Sequence, residues 1–464
     1  MSEAPSPQPI ERRRSRSLWP ALFAVSLALL IAVASFGAGM LAERAIFAGG
    51  SLFERAREVG SLGRDAEPVG DDPFPRLTEV QELIEDEYYY RPASPEALPG
   101  FRAELDRNAA AGMATAASAA AATPAGSVDA YLRELEYGAL RGMAAGLGDD
   151  HTAFLEPVAQ APVAEQMSGE YEGIGVWVER PGGAFVVSAT FPDSPAEEAG
   201  LRPGDAIEAA DGRPLAGIAD EDALRLIRGP AGTRVRLLVR RPGQAAPFDV
   251  EVERRAITTP VVTYRAEAGG RVAHVAVSIF NDKTTGQLDA AVKRAKDEGV
   301  GAIVLDLRNN GGGWVTTARE TIGRFVPEDR GPALYEDEDA GAADELTSLS
   351  ILGGGEQVFD LPLVVLVDGG TASAAEIVAG ALRDYERAPL VGTATFGKGS
   401  VQQVHDFDDG SSLRLTSAAW LTPNKEPIPE EGLAPDVVVD FPVEAPEESD
   451  PQLARAVELV LAGG

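Results

Sequence analysis

The spacing of hydrophobic positions changes several times along the chain and divides it into regions. Residues 18–42 form an apolar run without an ionisable side chain, long enough to cross a bilayer core of roughly 30 Å. Helical spacing follows in 77–90, and short alternating strands separated by turns occupy 172–257. From residue 272 onward, apolar strand-like runs alternate with amphipathic helices.

One stretch, 361–404, organises the second half of the chain. It opens with the Val- and Leu-rich run 361–367, which is typical of a fully buried strand. Turn chemistry at 368–371 ends the strand, and helical spacing returns over 374–386. Ser373 is therefore predicted in the turn before a helix N-terminus. Its hydroxyl is exposed there, beside N–H groups that have no intrahelical partner.

A serine becomes a nucleophile only if another group takes its proton. The three histidines, none of which lies in a comparable turn, are His151, His274 and His405. Lys398 is the better candidate base, because flanking glycines allow close backbone approach and burial would favour its neutral form. Gln402 follows four residues later, on the same side of a continuing strand, and could hold the Lys398 amine in place.

Simpler interpretations fit these residues when they are taken alone. A serine before a helix is more often only an N-cap, and a lysine between glycines is more often a solvated turn. The segment 392–400, GTATFGKGS, nearly spells a phosphate-binding loop. Gly399 stands where the magnesium-binding Ser or Thr should be, and the following residues predict a strand instead of a helix. Nucleotide binding is therefore rejected.

The longer pattern resembles the carboxy-terminal processing (tail-specific) proteases. The segments that carry the resemblance are TASAAEI at 371–377, ALRDYERA at 381–388 and FGKGSVQ at 396–402. That family works by a Ser/Lys dyad with a supporting glutamine, and its interval of 25 residues from Ser to Lys is found here. The resemblance implies that Ser373 is the nucleophile, Lys398 the base and Gln402 the residue that orients Lys398.

The turn after the predicted strand 302–307 resembles the family's D-L-R-x-N-x-G-G motif. Gly311 replaces the proline that precedes the glycine pair in the family. The resemblance implies that Gly312 supplies one oxyanion N–H and that Ala374, next to the serine, supplies the other. Loss of one such donor typically costs roughly 10²–10³ in rate.

Residues 194–205 resemble part of a bacterial PDZ domain. In that resemblance, the loop Gly173, Ile174 and Gly175 receives the terminal carboxylate of a peptide through its backbone N–H groups, and Leu224 lines the apolar pocket. The loop alone would be interpreted as an ordinary tight turn.

The region before the PDZ-like segment is predicted to be helical, with an alanine-rich insertion at 101–127. The insertion has helical propensity but few large apolar residues, so we expect it to be flexible or loosely helical. The segment 149–152, Asp-Asp-His-Thr, resembles the family's D-x-H-[ST] motif before the PDZ domain. His151 is accordingly interpreted as structural.

Composition narrows the function. The net charge of −32 argues against nucleic-acid binding, and the absence of cysteine excludes thiol chemistry and disulfides. No metal cluster is recognisable, and no cofactor is implied. Four arginines at 12–16 precede the apolar run, which predicts an uncleaved single-pass anchor in the bacterial inner membrane and an extracytoplasmic, periplasmic protease. A cleaved signal peptide is the alternative.

The sequence thus predicts a multidomain serine endopeptidase that binds apolar C-terminal tails of exported proteins. The fold class combines a transmembrane helix, a helical N-terminal region, a mostly β PDZ domain and an α/β core of ClpP/crotonase type. The predicted bounds are a basic cytoplasmic tail (1–17), anchor (18–42), linker (43–75), helical region (76–165), PDZ domain (166–258), protease core (259–442) and C-terminal helix (443–464).

The alternatives from other classes are a catalytically silent PDZ scaffold or receptor on the same fold and an acyl hydrolase acting on small thioesters. An activating adaptor and a homo-oligomer are left open as partners, and the membrane is predicted as a partner through the N-terminal helix.

Overall fold

The computed structural model describes residues 74–122, 127–338, 346–441 and 450–462. They fall into two compact units. The first contains the described residues up to Thr78 together with Ala103–Met143. The second contains Glu79–Arg102 and the described residues from Ala144 onward.

Within these residues, the α-helices are α1 (Pro75–Glu87), α2 (Leu98–Ala122), α3 (Val128–Ala145), α4 (Pro157–Ser168), α5 (Pro195–Glu198), α6 (Asp220–Ile227), α7 (Thr284–Glu298), α8 (Val315–Phe325), α9 (Ala374–Asp384) and α10 (Pro451–Ala462). The strands of the first half are β1 (Ala153–Leu155), β2 (Glu170–Gly173), β3 (Val176–Glu179), β4 (Phe185–Thr190), β5 (Ala206–Ala210), β6 (Arg213–Pro214), β7 (Arg234–Arg240), β8 (Phe248–Glu253) and β9 (Arg255–Thr258). Those of the second half are β10 (Val262–Glu267), β11 (Val272–Val277), β12 (Ala302–Asp306), β13 (Pro332–Asp337), β14 (Thr347–Ser350), β15 (Leu363–Val367), β16 (Leu390–Gly392), β17 (Ser400–Asp406), β18 (Ser412–Leu421) and β19 (Val437–Val438).

The described part of the alanine-rich segment up to Ala122 is a regular helix, whereas the sequence predicted a flexible or loosely helical insertion. Helix α2 runs unbroken for 25 residues. It packs against α3 through glycines, and a Cβ built at Gly142 would lie only 2.3 Å from the Asn108 carbonyl oxygen and 2.8 Å from Gly112 Cα. Small residues therefore let the two helix backbones approach closely, which replaces the large apolar side chains that the segment lacks.

The strands β3–β8 form the PDZ-like part of the second unit. Their sheet has the order β3-β4-β5-β7-β8, with β6 added beside β5, while β2 pairs separately with β9. The strands bury alternate side chains against α6; Val235, Leu237 and Val239 are fully buried on β7.

A six-stranded sheet forms the centre of the second half, in the order β10-β11-β12-β15-β16-β19. The strands from β11 to β19 are parallel and β10 is antiparallel. Leu305 belongs to the cluster that includes residues of α7, α8 and α9, whereas Val304 belongs to the cluster with Ala456 and Val460 of α10. Because both faces are covered, β12 and β15 have continuous apolar sequences.

A second, antiparallel sheet combines β17 and β18, which follow β16 in the chain, with the earlier strands β1, β13 and β14. It has the order β1-β18-β13-β14, and β17 also pairs with β18. The loop 393–399, which carries Lys398, connects the parallel sheet to β17. Each sheet therefore holds one end of that loop.

The predicted membrane topology is corrected. None of the helices that the structure describes is long and apolar enough to cross a membrane. The segment 18–42, on which the prediction rested, lies outside the described residues. The assignment to the inner membrane as a single-pass protein is accordingly not retained.

The close approach of α2 and α3 yields a prediction. We expect Gly142→Ala to lower the free energy of unfolding by about 1–3 kcal/mol, because the new methyl group collides with backbone. Gly286→Ala, on exposed α7 surface with no atom within 4 Å of the new Cβ, should instead stabilise by about 0.5–1 kcal/mol through helix propensity. Thermal unfolding followed by circular dichroism compares the two, and equal responses would refute the close packing.

Candidate active site

Ser373 occupies a strained turn between β15 and α9. Its backbone has φ 54° and ψ −120°, a combination that residues with a Cβ rarely adopt. Such conformations cost about 1–3 kcal/mol and persist only where the surroundings impose them. The Ser373 N–H donates to Glu376 Oε2 at 2.8 Å, which holds the turn in place.

Glu376 joins the serine turn to the lysine loop. Its carboxylate is fully buried, and Oε2 accepts from the N–H groups of both Ser373 and Lys398, the latter at 2.9 Å. Oε1 accepts from the Gly397 N–H at 2.8 Å and from the Thr395 hydroxyl at 2.5 Å. The backbone nitrogens of the two candidate catalytic residues thus lie within hydrogen-bond distance of one oxygen atom.

Sequence reasoning did not single out Glu376 as a site residue. The available signal was its position three residues after Ser373, where a glutamate commonly returns a hydrogen bond to the N-cap. Its further bonds to the lysine loop depend on tertiary contacts across 19 to 22 residues of sequence.

Lys398 lies half-buried in the loop before β17. The pKa of its amine is lowered, chiefly because burial disfavours the charged form and secondly because the Arg414 guanidinium is near; Asp149 and Glu376 act in the opposite direction. The Lys398 carbonyl accepts from the indole Nε1 of Trp420 at 2.9 Å, which further fixes the loop.

Gln402 lies on β17 immediately after a bulge in its pairing with β18. Its amide nitrogen donates to the hydroxyls of Ser400 at 2.9 Å and Thr416 at 3.3 Å. The carbonyl oxygen of Gln402 is therefore the atom that could accept a hydrogen bond from Lys398.

The two predicted oxyanion donors lie beside the serine. A Cβ built on Gly312, whose φ is 105°, would stand 2.9 Å from Ser373 Cβ and 3.1 Å from the Ala374 nitrogen. None of the described residues accepts a hydrogen bond from Ala374 N–H. The Gly312 N–H, in contrast, donates to the buried Asn310 Oδ1 at 2.9 Å, so it is already occupied.

The three histidines lie in other environments. The His151 N–H donates to Asp149 Oδ1 at 3.0 Å, and the same aspartate accepts from Thr152 Oγ1 at 2.6 Å. Buried His274 and half-buried His405 face carboxylates, with Nε2 at 2.9 Å from Asp306 Oδ2 and Glu87 Oε2 respectively. None of these contacts joins a histidine to Ser373.

The candidate peptide-binding residues lie at the end of β2, directly after it, and on α6. Ile174 is buried in its core, and Gly175, with φ 78°, packs so closely on Ser194 that a Cβ would lie 2.5 Å from the serine Cβ. Leu224 lies half-buried on α6. Gly173 is the last residue of β2.

Comparison with known proteins assigns the two regions to families. Residues 271–439 match the model of peptidase family S41, and 186–241 match that of the PDZ domain. The carboxy-terminal processing protease CtpA of Bacillus subtilis (strain 168) is 30% identical over 381 residues, covering 82% of this chain and 72% of the relative.

A probable CtpA-like serine protease of Staphylococcus aureus (strain COL) is 34% identical over 310 residues, or 67% of this chain; the match spans 61% of the relative's length. The solved photosystem II D1 C-terminal processing protease is 28% identical with a TM-score of 0.44, covering 80% of this chain and 94% of that one.

The two family models and the two curated relatives, together with the PDZ-like sheet and the α/β core, define a serine-type peptidase that contains a PDZ domain. The chain belongs to the carboxy-terminal processing protease family, as its motifs predicted.

The role of Glu376 can be tested by Glu376→Gln. The amide keeps the side-chain volume but removes the charge. It also replaces one acceptor oxygen by an NH₂ group, which cannot accept from the backbone N–H groups. We therefore expect the free energy of unfolding to fall by about 1–3 kcal/mol. Proteolytic turnover should fall more than substrate affinity, because the two turns lose their common anchor. Glu134→Gln, exposed on α3, is the control. Unchanged kcat in the Glu376 variant would contradict this role.

Proposed function

We propose that the chain is an endopeptidase that binds the C-terminal tails of proteins through its PDZ domain and cleaves them with a Ser373/Lys398 dyad. The observation that carries the proposal is that Glu376 Oε2 accepts hydrogen bonds from the backbone N–H groups of both Ser373 and Lys398. These two bonds hold the serine turn next to the lysine loop, and a dyad requires that proximity.

In this mechanism, Lys398 acts first as a base. Its neutral amine takes the proton from Ser373 Oγ as the oxygen attacks the scissile carbonyl, and the ammonium later returns a proton to the leaving amine. The lowered pKa of Lys398 favours this role, because a larger fraction of the amine is neutral at a given pH. Gln402 would orient the amine through its carbonyl oxygen.

The oxyanion that forms on the attacked carbonyl needs donors fixed in advance. Ala374 N–H, at the start of α9, is suited to this role because no described residue accepts from it. We assign the second donor to Gly312. Its N–H must first leave Asn310 Oδ1, so a small rotation of the 310–312 turn would accompany substrate binding.

The expected substrates carry apolar residues. Trp314 and Phe396 are exposed aromatic side chains that follow the Gly312 turn and precede Lys398 in sequence, so both candidate turns offer apolar surface. Leu224 would contact the last side chain of the tail in the PDZ domain.

We also assign the core to the ClpP/crotonase type. An activating adaptor and self-association remain predictions.

The nucleophile assignment is tested by Ser373→Ala and Lys398→Ala in separate chains. Each should reduce cleavage of an unfolded protein with an apolar C-terminus by about 10⁴-fold, since either member of the dyad is useless alone. Ser118→Ala, exposed on α2, should retain activity. Cleavage within tenfold of the parent after loss of Ser373, measured by gel densitometry, would exclude it as nucleophile.

The effect of Arg414 on Lys398 predicts a shift in pH dependence. Activity should rise with pH as Lys398 loses its proton. Arg414→Gln removes a cation that lowers the Lys398 pKa, so that pKa should rise and the acid limb of kcat/KM should move to higher pH. Arg236→Gln, on exposed PDZ surface, should leave the limb unmoved. A shift of the Arg414 variant toward lower pH would contradict the assigned base.

A further inference from the structure

The carboxylate-binding loop of the PDZ domain is covered by a side chain of its own domain. Tyr171, on β2, folds back so that its Cε2 would lie 2.6 Å from a Cβ built on Gly173. Burial raises the pKa of Tyr171, and the backbone N–H groups of Gly175 and Val176 lie near enough to its hydroxyl to oppose that rise. These are N–H groups of the kind that would bind the carboxylate of a tail.

A cation stands over the same side chain. The Arg228 guanidinium carbon, just past the end of α6, lies 4.5 Å from the centroid of the Tyr171 ring. Its Nη1 donates to Glu165 Oε2 at 2.9 Å, and the two side chains are 42% and 46% exposed. The cation over Tyr171 is thus already paired with a carboxylate of the same chain.

Glu165 is held in position from the protease side. It lies near the end of α4, where the next two residues bond to the core: the Gln166 carbonyl accepts from Asn281 Nδ2 at 2.9 Å, and the Met167 carbonyl accepts from Asp282 N–H at 3.1 Å. The Glu165 carboxylate therefore meets Arg228 without large movement of its own backbone.

We propose that Tyr171 and Glu165 are an internal substitute for the terminal carboxylate of a substrate tail, and that a tail must displace both to bind. The incoming carboxylate takes the two N–H groups from the Tyr171 hydroxyl and takes Arg228 from Glu165. This inference rests on the proposed tail recognition and deepens it. A tail that ends in an amide has no terminal charge that could replace Glu165 at Arg228, so displacement of the substitute depends on the free carboxylate.

The test measures peptide affinity on the full chain carrying Ser373→Ala, which prevents cleavage. Two short fluorescent peptides share an apolar sequence; one ends in a free carboxylate and the other in an amide. Anisotropy titrations compare Tyr171→Phe, Glu165→Gln and Arg228→Gln. Tyr264→Phe and Glu298→Gln are matched controls, because Tyr264 Oη donates to Glu298 Oε2 at 2.6 Å in a similar pair outside the PDZ domain.

Tyr171→Phe and Glu165→Gln should each tighten binding of the carboxylate peptide by about two- to tenfold, because each removes a competitor worth one hydrogen bond. Arg228→Gln should weaken that peptide by about tenfold or more. The amide peptide should change little in all three, and the controls should match the parent.

Two results would overturn the inference and distinguish it from the function on which it rests. If the parent prefers the carboxylate peptide but neither Tyr171→Phe nor Glu165→Gln tightens it, tail recognition stands and the internal substitute is excluded. If no variant binds either peptide, both the substitute and PDZ tail recognition are excluded, whereas the dyad is judged separately by loss of cleavage in Ser373→Ala.

Discussion

The carboxylate of Glu376 is the point at which two separately built parts of the candidate site meet. The serine turn comes from the end of a parallel strand, and the lysine loop passes from that sheet to an antiparallel one. A buried carboxylate is costly unless donors surround it, and here three backbone N–H groups and one hydroxyl do so. The same bonds that compensate this cost fix the distance between the turns.

The parallel sheet supports this arrangement from behind. Arg308 bonds to Asp306 at the end of β12 and to Asp450 at the start of α10. These bonds keep the pKa of the Asp306 carboxyl low, at about 2, although burial opposes the shift. The turn that follows carries Gly312, so a network of charges holds the glycine turn just as Glu376 holds the serine turn.

Much of the core could be predicted from sequence because strands buried on both faces leave an unmistakable apolar run. The run 361–367 became β15, and the helix predicted over 374–386 is observed as Ala374–Asp384. The family followed from motifs with fixed spacing. The Ser373 turn was placed correctly for the same reason, since turn residues separate the two elements.

Contacts between segments that are distant in the chain could not be predicted from the sequence in this way. A glutamate in the first turn of a helix normally faces solvent, so nothing in the sequence reveals that Glu376 is buried among donors from another loop. Asn310 likewise takes the Gly312 N–H through a side-chain bond that spacing does not predict. The prediction for the alanine-rich helix was wrong because its packing depends on glycines of α3. These glycines have no side chain, which lets the backbones of the two helices approach closely.

The backbone of Ser373 has a consequence for how such a chain could change over time. A residue with φ 54° and ψ −120° is strained, and glycine at this position would relieve the strain and stabilise the fold. A PDZ scaffold that no longer performed chemistry would gain from that exchange and lose nothing. The chain instead has a serine there, which lowers the stability of the fold. Lower stability at a strained site is expected of an enzyme, so this residue argues against the catalytically silent scaffold.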